Sequence, residues 1–221
     1  MKQPLWEISR NKKLASRPIK TNNLIICCGK RTEVNYFEKA AKFIKGHKES
    51  EGIEFFIVSN PVDPLNMAKN ASKIKNDFET KHFKKIHHVW VVFDKDDFEE
   101  DNFNNAVAKL KCKKDNTQYH PLWSNQCIEL WFLLHFSRMS SALDRNQYSI
   151  KLSETLEEKY QKNDPAIFSK LMSKGNFHNA LANARSLLNA SVTSSKNDPA
   201  TTIHEFFDFH DRFLGIFSKD T

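Results

Sequence analysis

Three carboxylates crowd into four residues at Asp94-Lys95-Asp96-Asp97, immediately after the apolar run Val89-Trp90-Val91-Val92-Phe93. Carboxylates this close repel unless a cation or a basic partner neutralises them, and a hard cation such as magnesium takes oxygen ligands. Asp94 and Asp96 therefore read as a metal pair with Asp97 as a third ligand. The structural alternative is an acidic turn that caps the next helix. The second group is Cys28-Gly29-Lys30-Arg31-Thr32-Glu33. A glycine between a strand and a helix N-terminus lets a phosphate or a metal approach the backbone. Lys30 and Arg31 here, and Lys95 between the aspartates, are candidate phosphate-binding cations. Glu33 either faces the aspartates or is a first-turn residue favoured by the helix dipole. Glu129 is a lone carboxylate in the apolar run from Ile128 to Phe136. Its burial without compensation would cost roughly several kcal/mol, so it requires a metal, an arginine or backbone amides as partner.

Other chemistries find less support. His82, His87 and His88 lack HExxH spacing, and Cys27, Cys28, Cys112 and Cys127 lack CxxC spacing, so neither zinc nor a disulfide framework is indicated. Neither GxxxxGK[ST] nor GxGxxG occurs. Arg138, Arg145, Arg185 and Arg212 fall in the later half, where they meet phosphate or pair on the surface.

The elements that must position these groups are readable from hydrophobic period. Leu24 to Cys28 is a continuous apolar run that suits a strand buried on both faces, Ile53 to Val58 and His88 to Phe93 read as a second and a third strand, and Gln118 to Trp123 as a fourth despite Pro121. Between them, helical spacing runs from Thr32, a candidate N-cap, to Gly46, from Asp63-Pro64 to about His82, and through Phe103, Ala106, Val107 and Leu110. Ser124-Asn125 is a candidate cap for a buried helix reaching Phe136, and further helices are expected over about 150–161, 164–173, 177–190 and 199–217. Strands alternating with helices predict an α/β fold with a mainly parallel sheet of about four strands, whose ligands sit off the carboxyl ends of the strands. The chain divides into a basic arm (1–22), an α/β core (23–137) and a helical extension (138–221) packed on the core.

With 221 residues, 39% hydrophobic and 28% charged, the chain can bury a core without covalent staples. A formal charge of +7 favours a polyanionic partner such as DNA or RNA, although lysines scattered over solvated helix faces give the same total. No apolar run approaches a membrane span, so no membrane contact is expected and the cytoplasm is the expected compartment. The oligomeric state is left open, with assembly of copies compatible.

The assembled residues resemble the RloB-like family, bacterial proteins with a Toprim-type core linked to phage defence and abortive infection. The matching stretches are Cys27-x-Gly29-Lys30-x-Thr32-Glu33-x-Asn35-Tyr36-Phe37, Val89 to Phe98, Ser124 to Phe136, and Asp198-Pro199-Ala200-Thr201-Thr202-Ile203-His204. The resemblance implies a magnesium-dependent nuclease, with manganese as a substitute ion, in which Asp94 and Asp96 hold the metal. It also implies an ATPase partner of the AAA or ABC type. Toprim domains carry a glutamate after the first strand, and the position that the family fills with an acid is Cys28 here. A thiol neither binds magnesium well nor serves as an oxygen base. Either Glu33 or Glu129 takes over, or this member binds without cutting. The family also has proline where this chain has Gln126.

Overall fold

The computed structural model describes residues 20–113, 115–189 and 192–214, the side chains of 212–214 excepted. The expected basic arm falls outside them as far as residue 19, and so does the Arg212 side chain. Strand β1 (Thr21–Cys27) opens the sheet, so the last residues assigned to the arm already belong to it. Helix α1 (Thr32–Lys45) leads to β2 (Ile53–Ser59), α2 (Pro64–His82) to β3 (His88–Asp94), and α3 (Glu100–Lys111) to β4 (Gln118–Asn125). The sheet order is β2-β1-β3-β4-β5, with the first four strands parallel and the short β5 (Ala200–Thr201) antiparallel against Ser124 and Asn125 of β4. The expectation of a mainly parallel α/β sheet holds, with a fifth strand added from the late part of the chain. The N–H that Pro121 lacks is tolerated because β5 pairs only with residues 124 and 125, leaving β4 an edge at Pro121.

Strict alternation along the buried strands sends side chains to two cores. Leu24, Ile26, Val89, Val91 and Phe93 pack under Met67, Ala68 and Ala71 of α2 and under Phe103, Ala106 and Leu110 of α3. Ile25, Cys27, Trp90, Val92 and Leu122 point the other way, against Tyr36, Phe37 and Ile44 of α1. As the alternation requires, Cys27 and Cys28 lie on opposite faces. The second core is shared with α4 (Glu129–Leu133), α5 (Arg145–Leu156), α6 (Ile167–Lys174), α7 (Phe177–Leu187) and α8 (His204–Leu214). Phe206 and Phe207 of α8 are fully buried there, and Trp131 of α4 donates its indole N–H to the Tyr36 hydroxyl at 2.6 Å.

Local signals read from sequence fare unevenly. Asp63 caps α2 as expected, accepting from the Asn66 N–H at 2.9 Å with Pro64 in the first turn. The N-cap of α1 is Arg31, without a side-chain cap, and not Thr32. Ser124 and Asn125 end β4 instead of capping a long helix, and α4 spans only Glu129–Leu133. Their polar groups are taken by the late segment. The Ser124 hydroxyl meets that of Thr201 at 2.9 Å, and the Asn125 amide donates to the Ser195 and Asn197 carbonyls. The helix expected over 150–161 runs from Arg145 to Leu156, ended by the left-handed Glu157. The one expected from 199 begins at His204, because Ala200 and Thr201 join the sheet.

Candidate metal centre

The strand order places the switch point of the sheet between β1 and β3, since the chain leaves β1 toward β2 on one side and returns to β3 on the other. A crevice at the carboxyl ends of such a pair is where α/β sheets bind ligands. Gly29 follows β1 and Asp94 ends β3 at this rim. Glu129 reaches it from the turn after β4, as the first residue of α4 and not from within a long helix.

Four carboxylates face one another here. Burial raises the pKa of Asp94 well above its usual range, and the charges of Glu33, Asp96 and Glu129 push it further, against a hydrogen bond from the Ile128 backbone. Glu33 is likewise raised, by burial first and then by Glu129 and Asp96. Asp96 is raised by burial despite the opposing charges of Arg145 and Lys162. Among the described residues, two cations lie within ion-pair reach: Arg145 Nη1 is 3.1 Å from Asp96 Oδ1, and Lys162 Nζ is 3.9 Å from Glu129 Oε1. The same Glu129 oxygen accepts from the Tyr160 hydroxyl at 3.0 Å. Four carboxylates against two cations leave two negative charges when all are ionised.

Backbone geometry holds this arrangement. Gly29 is required because a Cβ there would stand 1.8 Å from Glu33 Oε2, so the Glu33 carboxylate rests on the bare backbone. Asp96 adopts φ 41°, a left-handed conformation that costs a non-glycine residue about 1–2 kcal/mol. The loop is pinned by Lys95 N–H to Ser124 O at 2.9 Å and Asp96 N–H to Gln126 O at 3.0 Å. Asp96 Oδ1 is buried, and its approach to Arg145 is not aligned as a hydrogen bond, so the oxygen has no hydrogen-bond partner.

Of the residues picked from sequence, Glu33, Asp94, Asp96 and Glu129 are brought together. Asp97 is exposed and lies beside Asp96. Lys30 and Arg31 are exposed at the start of α1, whereas the Lys95 ammonium turns back to the carbonyls of Phe98 and Asp96. Cys28 stands against Glu33, Asp94 and Asp63. Its thiol is pushed up by burial and by those three charges, so it is protonated at neutral pH. Sequence reasoning passed over Tyr160, which it placed in the helix expected over 150–161, and Lys162 and Asn163, which it left between that helix and the next. The signal within reach was Lys162-Asn163-Asp164-Pro165, a turn composition rather than a helical one.

A metal fits this site by charge and by donor chemistry, because the unsatisfied Asp96 oxygen and the surplus negative charge both call for a hard cation. Among the described residues, no three His, Cys, Asp or Glu side chains are already gathered closely enough to hold an ion. Binding would therefore draw the carboxylates inward.

The family model described as RloB-like protein matches residues 23–208. The chain belongs to the RloB-like family. The match runs from within β1 into α8, so it takes in most of β1, all of β2 to β5 and every carboxylate of the site. No curated protein and no solved structure matched the chain. Among the described residues, no helix of this RloB-like protein is long and apolar enough to cross a membrane.

Proposed function

We propose that this RloB-like protein is a divalent-metal-dependent nuclease of the Toprim type, acting on DNA or RNA in cytoplasmic antiphage defence. The observation that carries the reading is the convergence of Glu33, Asp94, Asp96 and Glu129 at the switch point, with two negative charges in excess of the cations they touch. Magnesium or manganese would be held by Asp94 and Asp96 and would supply Lewis-acid stabilisation of a phosphodiester oxygen. Glu33 and Glu129 would complete the metal's shell or orient the attacking water and take its proton, and burial raises the Glu33 carboxyl toward the range a general base needs. Arg145 steadies Asp96, and Lys30 and Arg31 at the rim meet the polyanion. By family analogy the trigger and partner is an AAA- or ABC-type ATPase.

One observation favours a second reading, a module that binds nucleic acid or the ATPase without cutting. Cys28 occupies the place of the family's acid, and a thiol held protonated supplies neither a base nor a hard ligand. The two readings separate on turnover. Purified protein is incubated with duplex and single-stranded DNA, tRNA and mRNA, in magnesium or manganese, with and without the ATPase. Cleavage that Asp94→Ala abolishes supports the nuclease. Cleavage by Cys28→Glu alone establishes the binding module.

A further inference from the structure

The connector between α5 and α6 runs beside the site, from Glu129 to the first turn of α1, and it is built to stay there. It begins at the left-handed Glu157 (φ 55°) and turns at the left-handed Asn163 (φ 69°). Tyr160 N–H donates to Ser153 Oγ at 3.0 Å, and Lys170 bridges Glu158 at 3.1 Å and Asp164 at 2.8 Å. The far end is tied to α1: Asn35 Nδ2 donates to the Asn163 carbonyl at 2.7 Å, and the Thr32 hydroxyl meets Asn163 Oδ1 at 3.1 Å. Thr32 and Asn35 flank Glu33, so one helix turn holds both a site carboxylate and the strap.

The strap delivers two groups to Glu129. Tyr160 supplies a hydrogen bond to a carboxylate that is only 3% exposed. Lys162 comes within 3.9 Å of the same oxygen while its side chain stays 45% exposed. Of the cations near the carboxylates, Arg145 is engaged by Asp96 and Lys95 by its own loop. Lys162 alone of these three combines a loose contact to the cluster with an open side. A phosphate entering an acidic crevice is repelled unless a cation stands at the entrance.

We propose that Lys162 is a further phosphate-contacting residue of the site, beside Lys30 and Arg31 at the rim, recognising a phosphodiester backbone, and that Tyr160 and Asn163 are positioning residues that set Glu129 and Lys162 in place. The assignment rests on the nuclease reading only for the identity of the site; contact with nucleic acid stands apart from turnover.

The test is equilibrium binding of labelled duplex DNA and of tRNA across a salt series, with direct Mn2+ binding measured on the same proteins. A lost phosphate contact lowers the slope of log affinity against log salt by about 0.9 for duplex and about 0.7 for single strands. Lys162→Met is expected to lower the slope by that amount on the polyanion that is the ligand, and Lys162→Arg to restore it. Tyr160→Phe is expected to leave the slope unchanged and to weaken Mn2+ binding by roughly tenfold, as loss of a residue that orients a ligand does. An unchanged slope in Lys162→Met, or no binding of either polyanion by the unaltered protein, overturns the proposal. If the unaltered protein binds no Mn2+ but the Lys162→Met slope falls, the nuclease reading fails and the nucleic-acid contact stands.

Discussion

At one end of β3, His88 shares a 3.2 Å hydrogen bond with His120, and Trp90 stacks on His120 at 4.0 Å and lies tilted against His210. At the other end, Asp94 faces Glu33, Asp96 and Glu129. Both ends bury ionisable groups, and burial acts on both in the direction of neutrality. The histidines reach it readily. Burial brings His88, His120 and His210 down to about 4, and an uncharged imidazole among aromatic rings needs little else. Carboxylates at the opposite end raise one another, hold a strained backbone at Asp96 and leave one buried oxygen without a hydrogen bond. Each end leaves a buried polar atom without a hydrogen bond, Asp96 Oδ1 at one and His210 Nε2 at the other, but the histidines become neutral packing whereas the carboxylates still repel one another as charges.

The comparison breaks most sharply at Gly29. Gly29→Ala places a Cβ on the Glu33 carboxylate, which can swing out to solvent. Metal-dependent cleavage is expected to fall about 100-fold or more, while Tm moves by only a few degrees. If cleavage survives, Glu33 is not part of the chemistry and the acidic end is less specialised than the contrast holds.

The contrast also predicts opposite responses to neutralisation. Asp94→Asn removes one of the mutually repelling charges and keeps an acceptor for the Ile128 amide. Its Tm without metal is expected to rise by about 2–4 °C, the effect of roughly 1 kcal/mol in a chain of this size, and the Tm increase caused by Mn2+ is expected to vanish. A Tm that falls would show that the cluster is already satisfied by Arg145 and Lys162.

At the histidine end, acid should do the damage. His210 is held down to about 4 from 6.5 in the folded chain, chiefly by burial. Between those values the unfolded chain binds a proton that the folded one does not. The stability is therefore fully present above about pH 6.5 and is lost as pH falls toward 4, on the order of a few kcal/mol for so buried a ring. His210→Phe is expected to flatten the dependence of Tm on pH in that window. An unchanged profile would mean that the ring is already charged.

The smallest effect is expected at the strap. Tyr160→Phe removes one hydrogen bond to Glu129 and should cost about 1 kcal/mol, read by chemical denaturation.

Much of this was legible in the sequence because its causes are local. Apolar-rich stretches between turn residues named four strands, and Asp63-Pro64 named a helix start that the structure reproduces. The acidic turn and Gly29 were visible because β1 and β3 each stop abruptly into polar residues at the same rim. What stayed hidden depends on partners far along the chain. Ser124 and Asn125 looked like caps, and only the arrival of Ser195, Asn197 and Thr201, about seventy residues later or more, keeps them in a strand. Tyr160 and Lys162 carry no motif; they join the site through a turn whose anchors, Thr32 and Asn35, lie 131 and 128 residues away.

The late strand β5 has a consequence for how the molecule comes to exist. Until residues 200–207 have left the ribosome, β4 lacks its outer neighbour and the Tyr36, Phe37 and Trp131 surfaces lack Phe206 and Phe207. A growing chain would display an unfinished sheet edge and an aromatic face, features that invite aggregation and chaperone capture during synthesis.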